Sequence, residues 1–333
     1  MKILYIDNRR YGHNADLHID FISYMHKKKY HRVIGFGKFL HLYLPESIIP
    51  NMERPGTHLL RILSKYKPDL ILTYNCNGSS YEIGHDNINH YRWISNTLSK
   101  VNIPKFHITT DYCRSGFRQE QADWFADIGY SASIFRHRIA LEHECSVDKH
   151  WLPFSVDKKL YEKSINKKIK EKLEVVGFLG AAHNSSKKLY RKRISAINYL
   201  LKRNMMRTSK VLDDKFTRRI LTGESYVKFF TKNLFNLTCG GTCNFITAKY
   251  FQIPASYSML ICSDTDGLDI FPKDCYIKFD RSNLNKMMED INFHIKNKDI
   301  TLEKINKMHN FVINNHSHHN RILEMTEIFK RYV

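Results

Sequence analysis

Residues 239–271 read CGGTCNFITAKYFQIPASYSMLICSDTDGLDIF. A pair of glycines, Gly240 and Gly241, opens onto a segment with helical character at 247–254, and an apolar strand follows at 259–263. Glycines let the backbone approach a ligand closely, and the first N–H groups of a helix are free to bind phosphate. An ordinary turn also uses paired glycines. The order of glycine loop, helix and strand predicts an α/β domain with a ligand site at this loop.

Short apolar runs alternate with longer mixed segments on both sides of this stretch. The runs that we predict as strands are 3–7, 32–36, 69–74, 105–110, 129–133, 150–153, 175–179, 210–212, 234–238, 259–263 and 275–279. The segments that we predict as helices are 16–26, 56–66, 87–100, 120–127, 133–143, 188–203, 225–232, 247–254, 284–296 and 302–314. Alternation at this spacing predicts doubly wound parallel sheets, in a chain long enough for two domains.

A charged stretch without strand character divides the alternating pattern. We assign residues 1–157 to a first Rossmann-like domain, 158–174 to a basic linker and 175–333 to a second Rossmann-like domain, whose last helix can pack back on the first. Open α/β sheets bind ligands at the carboxyl ends of their strands. The sequence therefore predicts two doubly wound domains that face each other across a ligand-binding cleft.

The positive charge is concentrated in one part of the chain. The formal net charge is +20, and residues 158–219 hold 19 Lys or Arg against 5 Asp or Glu, a net +14. A field of this kind attracts nucleotides, nucleic acids or anionic lipid surfaces. The chain has neither a run of about 20 apolar residues nor a signal peptide. We therefore expect a cytoplasmic protein that can lie at the inner membrane face or on nucleic acid.

Several function classes have little support. Seven scattered cysteines predict reduced thiols, and the spacing of Cys239 and Cys243 without a second ligand pair predicts no zinc site. A Walker A loop, a G-x-G-x-x-G fingerprint and a G-x-S-x-G elbow are absent from the sequence. These absences disfavour kinases, dehydrogenases and serine hydrolases.

A series of short motifs runs in order from Trp151 to Arg321. They are Trp151-Leu-Pro-Phe154 with Asp157, Val175-Val-Gly-Phe-Leu-Gly180 with Arg191 and Arg193, Lys249-Tyr-Phe-Gln-Ile-Pro-Ala-Ser256, Leu260-Ile-Cys-Ser-Asp264 with Gly267-Leu268 and Phe271, and His316-Ser317 with Arg321. This series resembles the CgeB-like branch of the group-one glycosyltransferases. The N-terminal half matches that family only in its strand and helix pattern.

The resemblance implies a GT-B fold, with a nucleotide-sugar donor in the C-terminal domain and an acceptor in the N-terminal domain. It also implies retention of the sugar's anomeric configuration and no need for a metal, because basic side chains and helix N-termini neutralise the leaving diphosphate. The residues that we predict to bind the donor are Gly180, Arg191, Arg193, Gly240, Gly241, Thr242, Asn244, Lys249 and Gln252.

Two amides depart from the family pattern. The wider retaining group has a Glu-x7-Glu pair around this helix, and at that spacing this chain has Asn244 and Gln252. An amide both donates and accepts hydrogen bonds, so Gln252 is still able to bind ribose hydroxyls. The loss of both charges leaves an alternative open, in which a catalytically degenerate GT-B domain serves as a basic nucleic-acid-binding module.

Asp264 and Asp266 form a D-x-D sequence directly after a predicted strand. Transferases of another fold use this motif to hold Mg²⁺ or Mn²⁺. Here its position indicates the end of a strand and the start of a loop, so we expect neither a divalent metal nor another cofactor.

Acceptor and catalytic groups are expected in loops after the N-terminal strands. His13 follows the first strand, and Asp111 follows the fourth; either side chain could orient an acceptor hydroxyl or take its proton. A turn-capping role is the alternative for both. We thus expect transfer of a sugar from a UDP- or GDP-sugar to a hydroxyl on an anionic partner, either a modified DNA base or a membrane or cell-surface glycan.

Overall fold

The computed structural model describes residues 1–7, 16–37, 40–51, 53–74, 89–109, 126–142, 146–180, 190–208, 221, 223–241 and 244–333. The chain divides into two compact units. The first comprises Met1–Pro153 together with Arg321–Val333, and the second comprises Phe154–Asn320. No helix in the described ranges is long and apolar enough to cross a lipid bilayer.

The described part of the first unit contains a parallel sheet of seven strands in the order β3-β2-β1-β4-β5-β6-β7. These strands are β1 (Lys2–Ile6), β2 (Arg32–Phe36), β3 (Ser47–Ile48), β4 (Leu70–Tyr74), β5 (Lys105–Thr109), β6 (Ala132–Phe135) and β7 (Asp148–Trp151). The helices are α1 (Asp16–Lys27), α2 (Pro55–Tyr66) and α3 (Asn89–Leu98). The central strands of the sheet are buried on both faces, which explains why they are largely apolar.

The second unit contains a parallel sheet that has five strands in its described residues, in the order β12-β11-β10-β8-β9. They are β8 (Leu173–Phe178), β9 (Met206–Thr208), β10 (Asn233–Thr238), β11 (Met259–Ser263) and β12 (Tyr276–Phe279). The accompanying helices are α4 (Lys158–Ser164), α5 (Arg191–Leu201), α6 (Gly223–Thr231), α7 (Lys249–Ala255), α8 (Leu284–Lys296), α9 (Lys298–Asn315) and α10 (His318–Phe329), the last of which continues into the first unit.

A buried polar network anchors the central strand β10. Asn236 donates to the Phe230 carbonyl at 2.9 Å and to Ser258 Oγ at 2.6 Å, and Asn233 donates to Asn236 Oδ1 at 3.2 Å. A β-carbon at Gly177 on the neighbouring strand would lie 2.1 Å from Asn236 Oδ1. Only glycine leaves room for these amides, and their hydrogen bonds fix the position of β10 between β8 and β11.

The structure corrects three predicted elements. Residues 133–143 were expected to be a helix, but β6 occupies Ala132–Phe135, where all four residues are buried, and a 3-10 helix follows at Arg138–Glu142. The predicted linker at 158–174 lies in the second unit and contains α4 and the start of β8. Three helices, not two, follow β12, because the chain continues into α10 after His316. The predicted strand at 210–212 lies outside the described residues, and β9 precedes it.

Candidate functional site in the second unit

The carboxyl ends of four neighbouring parallel strands lie along one edge of the second sheet. Beyond these ends come Gly180 after β8, residues 239–241 after β10, Asp264 after β11, and Asp280 after β12. This is the edge at which open parallel sheets bind ligands, because helix N-termini and loop backbone groups converge there. The candidate site therefore follows from the topology of the sheet.

A cavity of about 610 Å³ opens at this edge. The start of α5, the loop after β10, and the ends of β11 and β12 each contribute to its wall. The lining residues are Tyr190, Arg191, Lys192, Cys239, Gly241, Asn244, Asp264, Asp280 and Arg281. Its volume is within the usual range for small-molecule sites.

Two cations meet at Gly180, next to this cavity. A β-carbon at Gly180 would lie 3.2 Å from Lys249 Nζ and 3.6 Å from Arg193 Nη1. The φ angle of Gly180 is +149°, a conformation that favours glycine. Thus Arg193, in the first turn of α5, and Lys249, at the start of α7, place a guanidinium and an ammonium beside the backbone that follows β8. Both cations would attract an anionic group that approaches Gly180.

Arg193 is held in place by aromatic rings. Its side chain is buried, and its guanidinium lies 3.9 Å from the centre of the Tyr190 ring and 5.4 Å from that of Phe178. Nη2 donates to the Cys239 carbonyl at 3.5 Å, and Cys239 lines the cavity. Stacking on aromatic faces suits the planar guanidinium and fixes its orientation. The charge of Arg193 is therefore preorganised beside the cavity.

The first turn of α5 adds further positive charge. Arg191, Lys192 and Arg193 occupy it, no acidic residue does, and no side chain caps the helix at Tyr190. Cations at a helix N-terminus are unfavourable, because the helix dipole is positive at that end. Lys192 offsets part of this by pairing with Asp280 at 3.5 Å. Hydrogen bonds from the backbone and hydroxyl of Ser282 hold the pKa of Asp280 below its usual value, so this carboxylate stays charged.

The two glycines of the loop have different environments. A β-carbon at Gly240 would lie 2.3 Å from Thr265 Cγ2, and the Gly240 N–H already donates to Ser263 Oγ at 3.2 Å. Gly240 therefore serves the packing of the loop and does not offer its N–H to a ligand. Gly241 has a φ of +70° and lines the cavity, which is the position the sequence predicted for both.

The two amides at the Glu-x7-Glu spacing, Asn244 and Gln252, lie in different surroundings. Asn244 is exposed at the cavity with a φ of +53°, and its carbonyl accepts from the Asp266 N–H at 2.8 Å. Gln252 is buried on α7, and its Oε1 accepts from the Tyr226 hydroxyl at 2.7 Å. Only Asn244 lines the cavity.

Asp264 and Asp266 do not form a metal cluster in the described ranges. Asp264 is exposed and pairs with Lys278 at 3.7 Å, and the backbone around Asp266 forms a bridge with Phe245. Within the described residues, no group of three or more His, Cys, Asp or Glu side chains could hold a metal ion.

Three of the predicted site residues, His13, Asp111 and Thr242, lie outside the described residues. Among those described, the structure brings together Gly180, Arg193 and Lys249, and it places Arg191, Gly241 and Asn244 on the cavity wall.

Sequence reasoning missed several residues of the wall. Asp280 and Arg281 follow the predicted strand 275–279, so the rule that sites lie after strand ends would have found them. Tyr190, also on the wall, carried no such signal. Tyr226 is not among the lining residues and was also missed, because its hydrogen bond to Gln252 joins two separate helices.

Solved structures of similar fold cover almost the whole chain. The glycosyltransferase from Rickettsia africae ESF-5 has a TM-score of 0.67 at 10% sequence identity, with 99% of this chain and 98% of that chain covered. Anabaena HepE in complex with UDP and glucose has a TM-score of 0.66 at 10% identity, with 99% and 100% covered. An alpha-glucosyltransferase in complex with UDP and a 13-mer DNA containing a HMU base has a TM-score of 0.66 at 11% identity, with 99% of each chain covered.

No protein-family model matches this chain, and no curated protein sequence does. The structural likenesses establish the fold, which is an α/β fold of the GT-B type with two parallel sheets. The predicted fold class is thus confirmed.

Proposed function

We propose that this protein transfers a sugar from a nucleotide-sugar donor to a hydroxyl acceptor, and that the second unit binds the nucleotide. The observation that carries the proposal is the convergence of Arg193 and Lys249 on Gly180, at the carboxyl edge of a parallel sheet. A diphosphate bound there would meet two cations and the start of a helix.

In this proposal, Arg193 and Lys249 stabilise the negative charge that develops on the leaving nucleoside diphosphate. The aromatic stacking of Arg193 means that its charge needs no reorganisation during the reaction. Side-chain cations would then do the work that a divalent ion does in other transferases, so we propose a metal-independent enzyme. Asn244 lines the cavity, and in this proposal it contacts the donor sugar.

The donor that we propose is a UDP- or GDP-sugar. The solved structures of HepE and the alpha-glucosyltransferase, which share the fold, contain UDP. We further propose membership of the CgeB-like branch and retention of the anomeric configuration. His13 and Asp111 are the groups that we propose to orient or deprotonate the acceptor hydroxyl.

The acceptor that we propose lies on an anionic partner. Exposed cations within residues 158–219 include Lys159, Lys170 and Lys202, which are suited to contacts with phosphates. A modified base in DNA and a membrane-associated or cell-surface glycan both satisfy this chemistry. The fold is shared with an alpha-glucosyltransferase whose complex contains DNA, which supports the first choice.

Nucleotide binding tests the proposal directly. Titration calorimetry with UDP and GDP should detect binding to the wild type. Arg193→Met and Lys249→Met should each weaken it by about tenfold or more, because each removes a charged hydrogen-bond donor. Lys202→Met is the matched control, since Lys202 is exposed at the far end of α5, and it should change affinity less than about twofold. Failure of every nucleotide to bind would overturn the proposal.

A panel of nucleotide sugars, with release of free nucleotide as the readout, then tests the transferase activity and its acceptor. Release that increases with DNA supports a DNA acceptor, whereas release that increases only with anionic vesicles carrying glycan supports a membrane one. The nucleic-acid-binding module remains the rival, because Asn244 and Gln252 lack charge. DNA binding with a steep salt dependence, without binding of any nucleotide, would favour that rival.

A further inference from the structure

Gln252 lies on the same face of α7 as Lys249. The two residues are three positions apart, and side chains at this spacing are neighbours on a helix surface. Lys249 extends to Gly180, where it meets Arg193. Gln252 lies one helical turn after Lys249, and it is 3% exposed. A buried amide at this place needs a defined set of hydrogen bonds.

Tyr226 supplies one of them from a different helix. Its hydroxyl donates to Gln252 Oε1 at 2.7 Å, and its ring packs edge-on against Phe230 with centroids 4.8 Å apart. Burial raises the pKa of Tyr226 above its usual value, so the hydroxyl keeps its proton and remains a donor. A buried hydroxyl proton without an acceptor is costly, and Gln252 Oε1 is the acceptor that the structure provides.

This contact determines which end of the amide is available to a ligand. With Oε1 engaged by Tyr226, the two N–H groups of Nε2 are the part of Gln252 that can bind another partner. A carboxylate at the same place would have two equivalent oxygens and would need no such orientation. The Tyr226 hydroxyl thus matters here because residue 252 is an amide.

We propose that Tyr226 is a positioning residue for the nucleotide site, which orients the Gln252 amide so that Nε2 donates to a hydroxyl oxygen of the bound nucleotide. This inference rests on the proposed function, because it assumes that a nucleotide occupies the site. It makes position 252 a hydrogen-bond donor toward the ligand. Tyr226 itself does not touch the ligand in this proposal.

A double-mutant cycle tests the proposal through UDP or GDP affinity, whichever nucleotide the wild type binds. Tyr226→Phe should weaken binding about five- to tenfold, the effect of one mispositioned hydrogen bond. In a Gln252→Met background there is no amide to orient, so Tyr226→Phe should then change affinity less than about twofold. Equal losses in both backgrounds would mean that Tyr226 acts only through packing, and would overturn the inference.

A second measurement does not depend on any nucleotide. The chain has three glutamines, Gln119, Gln121 and Gln252, so selective ¹⁵N-glutamine labelling gives at most three side-chain amide pairs in an NMR spectrum. Gln252→Met identifies the pair of Gln252 by its loss. Tyr226→Phe should shift this pair and leave the other two in place.

An unchanged Gln252 pair in the Tyr226→Phe spectrum would overturn the proposed orientation even if nucleotides bind. If the pair shifts and no nucleotide binds to the wild type, the proposed function fails, and the ligand contact of Nε2 fails with it. If nucleotides bind and the pair shifts but the cycle shows no coupling, only the positioning role is overturned. Thermal melting of all four proteins identifies any variant that does not fold.

Discussion

At the scale of single residues, Gly180 offers the sharpest test of the cation pair. Gly180→Ala places a methyl group 3.2 Å from Lys249 Nζ and 3.6 Å from Arg193 Nη1. Gly223→Ala is the matched control: Gly223 also has a positive φ, +52°, but its β-carbon would meet nothing within 4 Å. Both variants should lose about 1 kcal/mol or more of unfolding free energy through backbone strain.

Only Gly180→Ala should also weaken nucleotide binding, by about tenfold, because the methyl group displaces an anion from the cations. Calorimetry of both variants with the same nucleotide gives the comparison. Equal affinity in Gly180→Ala and Gly223→Ala would show that the anion binds elsewhere.

The residues of the site could be predicted from the sequence where a strand ends and a glycine or basic residue follows. Gly180 was predicted in this way, whereas Arg193 and Lys249 were predicted from the family resemblance, and the structure brings the three together. Gly240 was predicted to bind a ligand. In the structure, its close contact with Thr265 is what requires a glycine at this position. A glycine in a sequence indicates close approach but does not identify the approaching group.

At the scale of elements, a buried histidine links α8 to α9 and makes their packing sensitive to acid. His294 Nδ1 and Thr301 Oγ1 are 2.9 Å apart, and the Thr301 hydroxyl also donates to the His294 carbonyl at 2.7 Å. Burial lowers the pKa of His294 to about 4, from a value of about 6.5 in the unfolded chain. Between these two values, the unfolded chain binds a proton that the folded chain does not.

Stability should therefore fall as the pH falls from 6.5 to 4, and His294 should contribute up to about 3 kcal/mol of that loss. Urea unfolding at pH 7, 5.5 and 4.5 measures it. His294→Gln should reduce the dependence on pH, whereas His41→Gln, which changes an exposed histidine, should leave it unaltered. If the unfolding free energy of His294→Gln falls with pH as steeply as that of the wild type, His294 is not a source of the pH dependence.

The elements themselves could mostly be predicted, because alternation of apolar runs with amphipathic segments is a local property. The strands Arg32–Phe36 and Met259–Ser263 and the helix Leu284–Lys296 have the predicted bounds. The segment 133–143 was mistaken for a helix, since a short apolar run does not distinguish a strand from a buried helix. Pairing with β5 and β7 decides in favour of a strand, and pairing partners are distant in sequence.

At the scale of the whole molecule, the chain returns to its first unit at its end. Ile322, Met325 and Phe329 on α10 are fully buried in a core shared with Tyr5 and Phe106, and the Phe106 and Phe329 rings lie 4.6 Å apart. The Arg321 Nε–H donates to the Pro153 carbonyl at 3.1 Å. The first unit therefore depends on residues at both ends of the chain, which local sequence patterns do not reveal.

Phe329→Ala should destabilise the first unit by about 3–5 kcal/mol, because it leaves a cavity in a closed core. The three tryptophans, Trp93, Trp124 and Trp151, fall within residues 1–153 of the sequence, so tryptophan fluorescence during urea unfolding follows the first unit. Leu323→Ala on the same helix is the control, since Leu323 is 46% exposed, and it should shift the transition little. Fluorescence transitions at the same urea concentration in both variants would mean that α10 is not part of the core of the first unit.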